Sequence, residues 1–188
     1  MNFIGVVILT CWIILLSYWT ICAFFQKETK EKPTLKSRMF YSSVLLFSYL
    51  LLLFSYKFLI FNYVLIRTSL VINIVSVFLS LVGLIICIYS RKVLGSNWSR
   101  EVLFKKNHEL ITRGPYRYVR HPIYLGLLML FLGTALAIGN LGSILGFILL
   151  FFNFKQKYRD EEALMIKHFK GRYLAYMKKT RALIPFIY

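Results

Sequence analysis

With 188 residues, 59% of them hydrophobic and 18% aromatic, the chain carries too much apolar side chain for an ordinary soluble domain and reads as an integral membrane protein. Its formal net charge of +17 invites a nucleic-acid reading. The 24 Lys and Arg, however, fall between apolar runs instead of lining a soluble scaffold, which argues against nucleic acid and for anionic membrane lipids as partners.

From Asn2 to Phe25 there is no charged residue, enough helix to cross a hydrocarbon core of ~30 Å. The run lacks a basic start and exceeds the ~7–15 apolar residues of a secretory leader, so it is expected to be a retained span. Gln26 to Arg38 then sets five Lys or Arg against two Glu, with Pro33 as a break, and is expected to be a basic loop. Met39 to Tyr56 reads as the second span, Lys57 to Arg67 as a mixed interfacial connection, and Ser69 to Ser90 as the third span. Arg91 to Arg120 is a second basic loop, with eight basic residues against Glu101 and Glu109.

The fourth span is expected from Pro122 to Ala137 and the fifth from Leu141 to about Phe154, with Gly139 and Asn140 as the turn of a tight helical hairpin. Lys155 to Tyr188 adds nine basic residues and the triplet Asp160, Glu161, Glu162. Ala163, Ile166, Phe169, Tyr173 and Met177 recur at helical spacing, which predicts a C-terminal amphipathic helix on the cytoplasmic surface, interrupted at Gly171, with two shorter helices as the alternative. The fold class is thus an all-α integral membrane protein of about five transmembrane helices. It forms a single membrane domain, residues 1–90 holding three spans and residues 91–188 the remaining two and the tail helix.

Charge sets the orientation. The three basic segments hold five, eight and nine Lys or Arg, and the opposite side holds only Lys57 and Arg67. An odd number of crossings gathers the rich segments together, with the amino terminus outside and the carboxyl terminus in the cytoplasm. Abundant Lys, Ile and Phe and the lack of a targeting segment suit a prokaryotic plasma membrane. Cys11, Cys22 and Cys87 lie in apolar runs without CxxC spacing and are expected to be small buried hydrophobes, not disulfide or metal ligands.

The polar residues with chemical potential cluster at the membrane boundary. Arg113 to Gly126, read as RGPYRYVRHPIYLG, sets Arg120, His121, Tyr116 and Tyr124 at the start of the fourth span. The hairpin brings that start beside the end of the fifth, so Arg120 and His121 are expected near the acidic triplet. Residue types alone leave two readings open, an ion-pair network that holds the hairpin base together and a group-transfer site that positions a cofactor. No GxGxxG, Walker, nucleophile-elbow or HExxH motif is present, and no metal centre is expected. In the loop GSNWS, which holds Asn97 and Trp98, the Trp reads as an interfacial residue.

HELITRGPYRYVRHPIYLG, followed by YRDEEALMIKHFKGRYLAYMKKT and IPF, resembles the isoprenylcysteine carboxyl methyltransferase family and the related membrane phospholipid N-methyltransferases. The likeness covers roughly Leu94 to Phe186; membrane sterol reductases are similar over the same region. It implies an S-adenosylmethionine-dependent methyltransferase acting on a lipophilic acceptor from the bilayer. Cofactor contacts are implied at His108, Glu109, Leu110, Ile111, Tyr116, His121, Pro122, Ile123, Tyr124, Glu161 and Glu162, and a catalytic role at Arg120, His121 and Arg159. One departure bears on the acceptor: where the carboxyl methyltransferases carry an arginine four residues before the glutamate matching Glu162, this chain has Tyr158, with Arg159 one step on. The alternatives are a phospholipid N-methyltransferase-like enzyme, a sterol-reductase-like enzyme using NADPH, and a non-catalytic membrane scaffold.

Overall fold

The computed structural model describes residues 3–24, 29–31, 34–98, 104–105 and 109–184. Among them run six helices, α1 (Phe3–Ala23), α2 (Leu35–Phe54), α3 (Leu70–Leu94), α4 (Pro122–Ile138), α5 (Leu141–Phe169) and α6 (Gly171–Lys179). Single 3-10 turns lie at Ser55–Lys57, Gly95–Asn97 and Gly114–Arg117. The all-helical expectation holds with one addition: β1 (Thr29–Glu31) pairs antiparallel with β2 (Phe104–Lys105), joining two segments expected to be irregular.

The helix starts follow local chemistry. Thr34, Ser69 and Asn140 each accept a hydrogen bond from the backbone N–H three residues on, closing the first turns of α2, α3 and α5. Pro122 opens α4, where its missing N–H costs nothing. Gly139, at φ 72°, ends that helix in the left-handed conformation that turns the hairpin.

Packing explains why α3 and α4 form the tightest pair. A Cβ on Gly83 would lie 2.5 Å from the carbonyl oxygen of Gly126, and one on Gly126 would lie 2.7 Å from the sulfur of Cys87. Gly133 sits equally close to the Ser76 carbonyl. Small residues bring the two backbones together where lipid supplies no hydrophobic drive between helices. On one side α1 packs Cys11 and Leu15 against Leu84, Cys87 and Leu130. Trp12 lies edge-on to Phe131 at 4.7 Å and donates from Nε1 to Thr134 Oγ1 at 3.1 Å. On the other side α2 packs along α5.

Phe3, Leu16, Phe47, Leu70, Phe78 and Ile85 are exposed on α1 to α3, a belt of large apolar side chains of the kind lipid covers. Three helical stretches, Phe3–Ala23, Leu35–Lys57 and Leu70–Asn97, are long and apolar enough to cross a membrane. α4 is apolar but only 17 residues long, and α5 has 29 residues with its second half charged.

The fifth helix departs from expectation. No helix break follows Phe154; the acidic triplet rides on the same continuous helix, because the onset of charge marks the edge of the apolar layer and not a break in backbone hydrogen bonding. The expected tail helix from Ala163 to Met177 is divided accordingly, its first part belonging to α5 and its second to α6. The break falls at Lys170, φ 49°, one residue before Gly171, and Ala163 is exposed. Cys11 and Cys87 are buried as expected, but Cys22 is only partly so.

The two ends of the bundle differ in character. At one end Arg91 donates from Nη2 to the Cys22 carbonyl at 3.0 Å, so α1 and α3 finish together, beside the start of α4. At the other, Leu65 and Ile66 donate backbone N–H to the Gly139 carbonyl at 2.9 Å, and Ser55 Oγ donates to Asn140 Oδ1 at 2.9 Å. The hairpin turn is therefore closed over by the connection between α2 and α3.

Candidate functional site

The site forms at the end where α4 begins. Ahead of it, Gly114 at φ 60° starts a 3-10 turn that packs on α3, since a Cβ there would meet Val93 at 3.0 Å. Tyr116 is buried under this turn, and its carbonyl accepts from the Tyr176 hydroxyl of α6 at 2.5 Å. The chain then pairs with the segment after α6: Arg120 N donates to the Arg181 carbonyl at 2.8 Å and His121 N to the Ala182 carbonyl at 3.0 Å. Backbone pairing from a distant part of the chain thus fixes the two residues immediately before Pro122.

Their side chains meet α5. Arg120 Nε lies 2.6 Å from Glu162 Oε1, and its Nη1 donates to the carbonyls of Thr180 at 2.6 Å and Met177 at 3.4 Å. The guanidinium therefore bridges a carboxylate and the carbonyl-rich end of α6, where a cation is favoured. His121 Nε2 lies 3.1 Å from Glu162 Oε1, and its Nδ1 lies 3.6 Å from Glu161 Oε2. The Tyr124 hydroxyl donates to Glu161 Oε1 at 2.5 Å. Asp160 turns elsewhere, accepting from the Tyr41 hydroxyl on α2 and from Gln156 Nε2 at 3.1 Å. Successive positions on one helical turn thus serve three neighbours.

Helical spacing also explains the wall beside these ions. Phe154, Tyr158 and Glu162 recur at intervals of four and share the face of α5 turned to α4. Phe154 stacks on Tyr124 at 4.9 Å, Tyr124 on His121 at 5.7 Å, and His121 on Tyr158 at 5.1 Å, with interplanar angles of 26°, 21° and 28°. Each neighbouring pair in the order Phe154, Tyr124, His121, Tyr158 is thus stacked, with His121 joining the rings to the ionic cluster. Burial alone raises the Glu162 pKa, but hydrogen bonds from His121 and Arg120 outweigh it and hold the carboxyl below its usual range. Burial, with Tyr176 and Glu161 adding to it, lifts Tyr116 far above the usual phenol range, so its hydroxyl stays neutral.

The structure brings together Arg120, His121, Tyr124, Glu161 and Glu162, with Tyr116 beneath them. Pro122 and Ile123 are buried, and the Ile123 carbonyl accepts from Cys87 Sγ at 3.6 Å, toward α3. Glu109 N donates to Asn97 Oδ1 at 3.3 Å, which moors Glu109, Leu110 and Ile111 to the end of α3. His108, and Glu101 with it, lie outside the described residues.

Arg159 stands apart from this cluster. It is exposed, about 100° around the helix from the buried Tyr158, and does not join the cluster. Lys157 Nζ lies 5.7 Å from the Tyr124 ring centre. Asn97, singled out in sequence only as part of its loop, is buried. The clue was its place just after a glycine that ends a long helix. Trp98 covers Arg91 at 4.6 Å.

The donor set fits an amphiphilic cationic cofactor. An ionised carboxylate and an imidazole offer partners for an ammonium and a carboxylate.

A family profile described as phospholipid methyltransferase matches residues 71–172. The chain is 41% identical over 96 residues to the protein-S-isoprenylcysteine O-methyltransferase of Schizosaccharomyces pombe, covering 50% of this chain and 41% of that protein. The human enzyme of the same name is 33% identical over 96 residues, covering 50% and 34%. The chain thus matches less than half the length of these relatives. Among solved structures, the eukaryotic intramembrane Ras methyltransferase, isoprenylcysteine carboxyl methyltransferase, superposes with a TM-score of 0.52 at 25% identity, over 78% of this chain and 52% of that one.

Proposed function

The chain belongs to the phospholipid methyltransferase family, and on that premise we propose that it transfers a methyl group from S-adenosylmethionine to a lipophilic acceptor drawn from the bilayer. The names of its relatives point to an isoprenylcysteine-like acceptor, a small polar head on a long apolar tail. The observation that carries the reading is Glu162, held ionised by Arg120 and His121 where the segment before α4 meets α5, inside the matched region.

Each group has a proposed task. Glu162 takes the cofactor's ammonium group, with His121 keeping the carboxylate oriented. Arg120 fixes the base of the cluster by tying Glu162 to the end of α6. Glu109, Leu110 and Ile111, moored through Asn97, form the edge that takes the adenosine, with Tyr116 below. When bound, S-adenosylmethionine supplies an electrophilic methyl on a sulfonium. The protein's contribution is to align the acceptor and exclude water, so proximity and orientation account for most of the acceleration.

α4 and α5 complete five crossings in this reading, the cytoplasm facing the ionic cluster and the lipid tail entering sideways between helices. In this reading residues 91–188 form the cofactor-binding half, most of it inside the matched region.

Isothermal calorimetry of the detergent-solubilised protein with S-adenosylhomocysteine tests the reading. Binding is expected for the wild type, and loss of it for Glu162→Ala and His121→Ala with insertion retained. Unchanged binding by both variants refutes the assignment. A response to NADPH with none to S-adenosylhomocysteine would move the chain to reductase chemistry.

A further inference from the structure

We propose that Arg91 is a positioning residue for the cofactor: it draws the last turns of α1 and α3 together and so sets the turn from which Asn97 holds the edge formed by residues 109–111. The inference rests on the methyltransferase reading above and deepens it.

Arg91 lies in the last turn of α3, where an arginine ordinarily carries its charge out to lipid headgroups. This one is 3% exposed, while the neighbouring Lys92 is exposed and meets that need. Among the described residues its side chain has no carboxylate partner: Nη1 donates to the Gly95 carbonyl at 2.5 Å, Nη2 to the Cys22 carbonyl at 3.0 Å, and Nε has no acceptor. Burying a cation so sparsely paired costs free energy, and the negative ends of two helix dipoles offset only part of it. A membrane anchor needs none of this.

What the burial secures is the geometry just past α3. Gly95 leaves the helix at φ 57°, a conformation glycine takes readily, and its N–H donates to the Arg91 carbonyl. Its own carbonyl accepts from Arg91 Nη1 and from the Trp98 N–H at 3.3 Å. The Trp98 ring covers the guanidinium at 4.6 Å and meets Trp19 of α1 edge-on at 6.0 Å. The turn Gly95–Asn97 is thus gripped from both sides, and it carries the buried Asn97, whose Oδ1 accepts from Glu109 N at 3.3 Å.

The far end of that segment is held by α3 as well. Gly114 packs so closely that a Cβ on it would lie 3.0 Å from Val93, two residues after Arg91. Residues 109–111 therefore hang between two points on the same end of α3, one direct and one routed through Asn97. An edge fixed in advance leaves the cofactor little to order; once the turn is loosened, that ordering is charged to binding and affinity falls. A planar guanidinium can reach two carbonyls and lie under an indole at once, which an ammonium cannot.

Calorimetry of the full chain in detergent with S-adenosylhomocysteine, at a temperature where every variant is folded, tests the assignment. Arg91→Met, close in length but without donors, is expected to raise the Kd about 10-fold, and Arg91→Lys, which keeps the charge, by less. Asn97→Ala should match Arg91→Met, and the double variant should bind no more weakly than the weaker single, because the two residues act through one turn. Gly133→Ala, which crowds the Ser76 carbonyl away from the site, should lower the thermal midpoint and leave the Kd at its wild-type value, separating positioning from a general loss of stability. Wild-type affinity in Arg91→Met, additive losses in the double variant, or an equal loss in Gly133→Ala would overturn the proposal. Should Arg91→Met fail to insert, Arg91→Lys takes its place in each comparison. Failure of the wild type to bind S-adenosylhomocysteine would instead remove the methyltransferase reading itself.

Discussion

Glu162 stays charged in a partly desolvated place because two donors hold it there, and that makes folding sensitive to acid. Its folded pKa is depressed, so its contribution to stability is fully present above the ordinary glutamate value of about 4.3 and is lost as pH falls through the lower folded value. Glu162→Gln leaves Arg120 without its counter-charge, which in a buried pair costs on the order of 3 kcal/mol. The thermal midpoint of the variant in detergent is expected below that of the wild type at neutral pH, with the gap closing as the buffer is taken below pH ~4. A gap independent of pH would show that packing, not charge, sets the loss. Arg120, His121, Glu161 and Glu162 were legible in the sequence because a short hairpin forces its two ends together. Arg159 stands apart from them because one step along a helix turns a side chain away by about 100°, as the shift from the Tyr158 position implies. Asn97 was missed because its partner, the Glu109 N–H, becomes its neighbour only once the loop after α3 folds back.

Helices that share an environment need not share a reason for packing, and the glycines show it. Gly126 lies against α3 so closely that a methyl group would strike the Cys87 sulfur and the Gly83 carbonyl, and backbone cannot step aside as a flexible side chain does. Gly126→Ala is expected to lower stability by about 1–3 kcal/mol. Gly171 opens α6 without a positive φ, and a methyl group added there would meet nothing within 4 Å. Gly171→Ala should therefore raise stability by about 0.4–1 kcal/mol, through the entropy of the unfolded chain. Chemical unfolding in mixed micelles, monitored by Trp fluorescence, reads both. Opposite signs are the outcome that matters, because equal losses would mean that the α5–α6 junction is as tightly held as the α3–α4 contact. The hydrophobic runs made α1 to α4 and the hairpin turn readable in advance. The continuity of α5 was not, since charge reports where apolar solvent ends and says nothing about whether the helix continues through the boundary.

Across the whole molecule, charge and chemistry gather at one end. The ionic cluster, the carbonyl end of α6 and the close of α1 and α3 lie together, and the segments rich in Lys and Arg connect there. The opposite end carries Lys57 and Arg67 near a hairpin turn sealed by the connection from α2 to α3. If the membrane lies between these ends, the positive-inside tendency puts the cluster in the cytoplasm, where S-adenosylmethionine is made and spent. Leu59, 93% exposed in the α2–α3 connection, and Arg172, exposed on α6, report the two sides. With the partly exposed Cys22 replaced by Ser, Leu59→Cys should react with a membrane-impermeant maleimide on intact cells, whereas Arg172→Cys should react only after the cells are opened. The reverse pattern would turn the site away from its cofactor. Labelling of both in intact cells would mean that an even number of segments crosses between the two positions, and α3, α4 and α5 would then not all span.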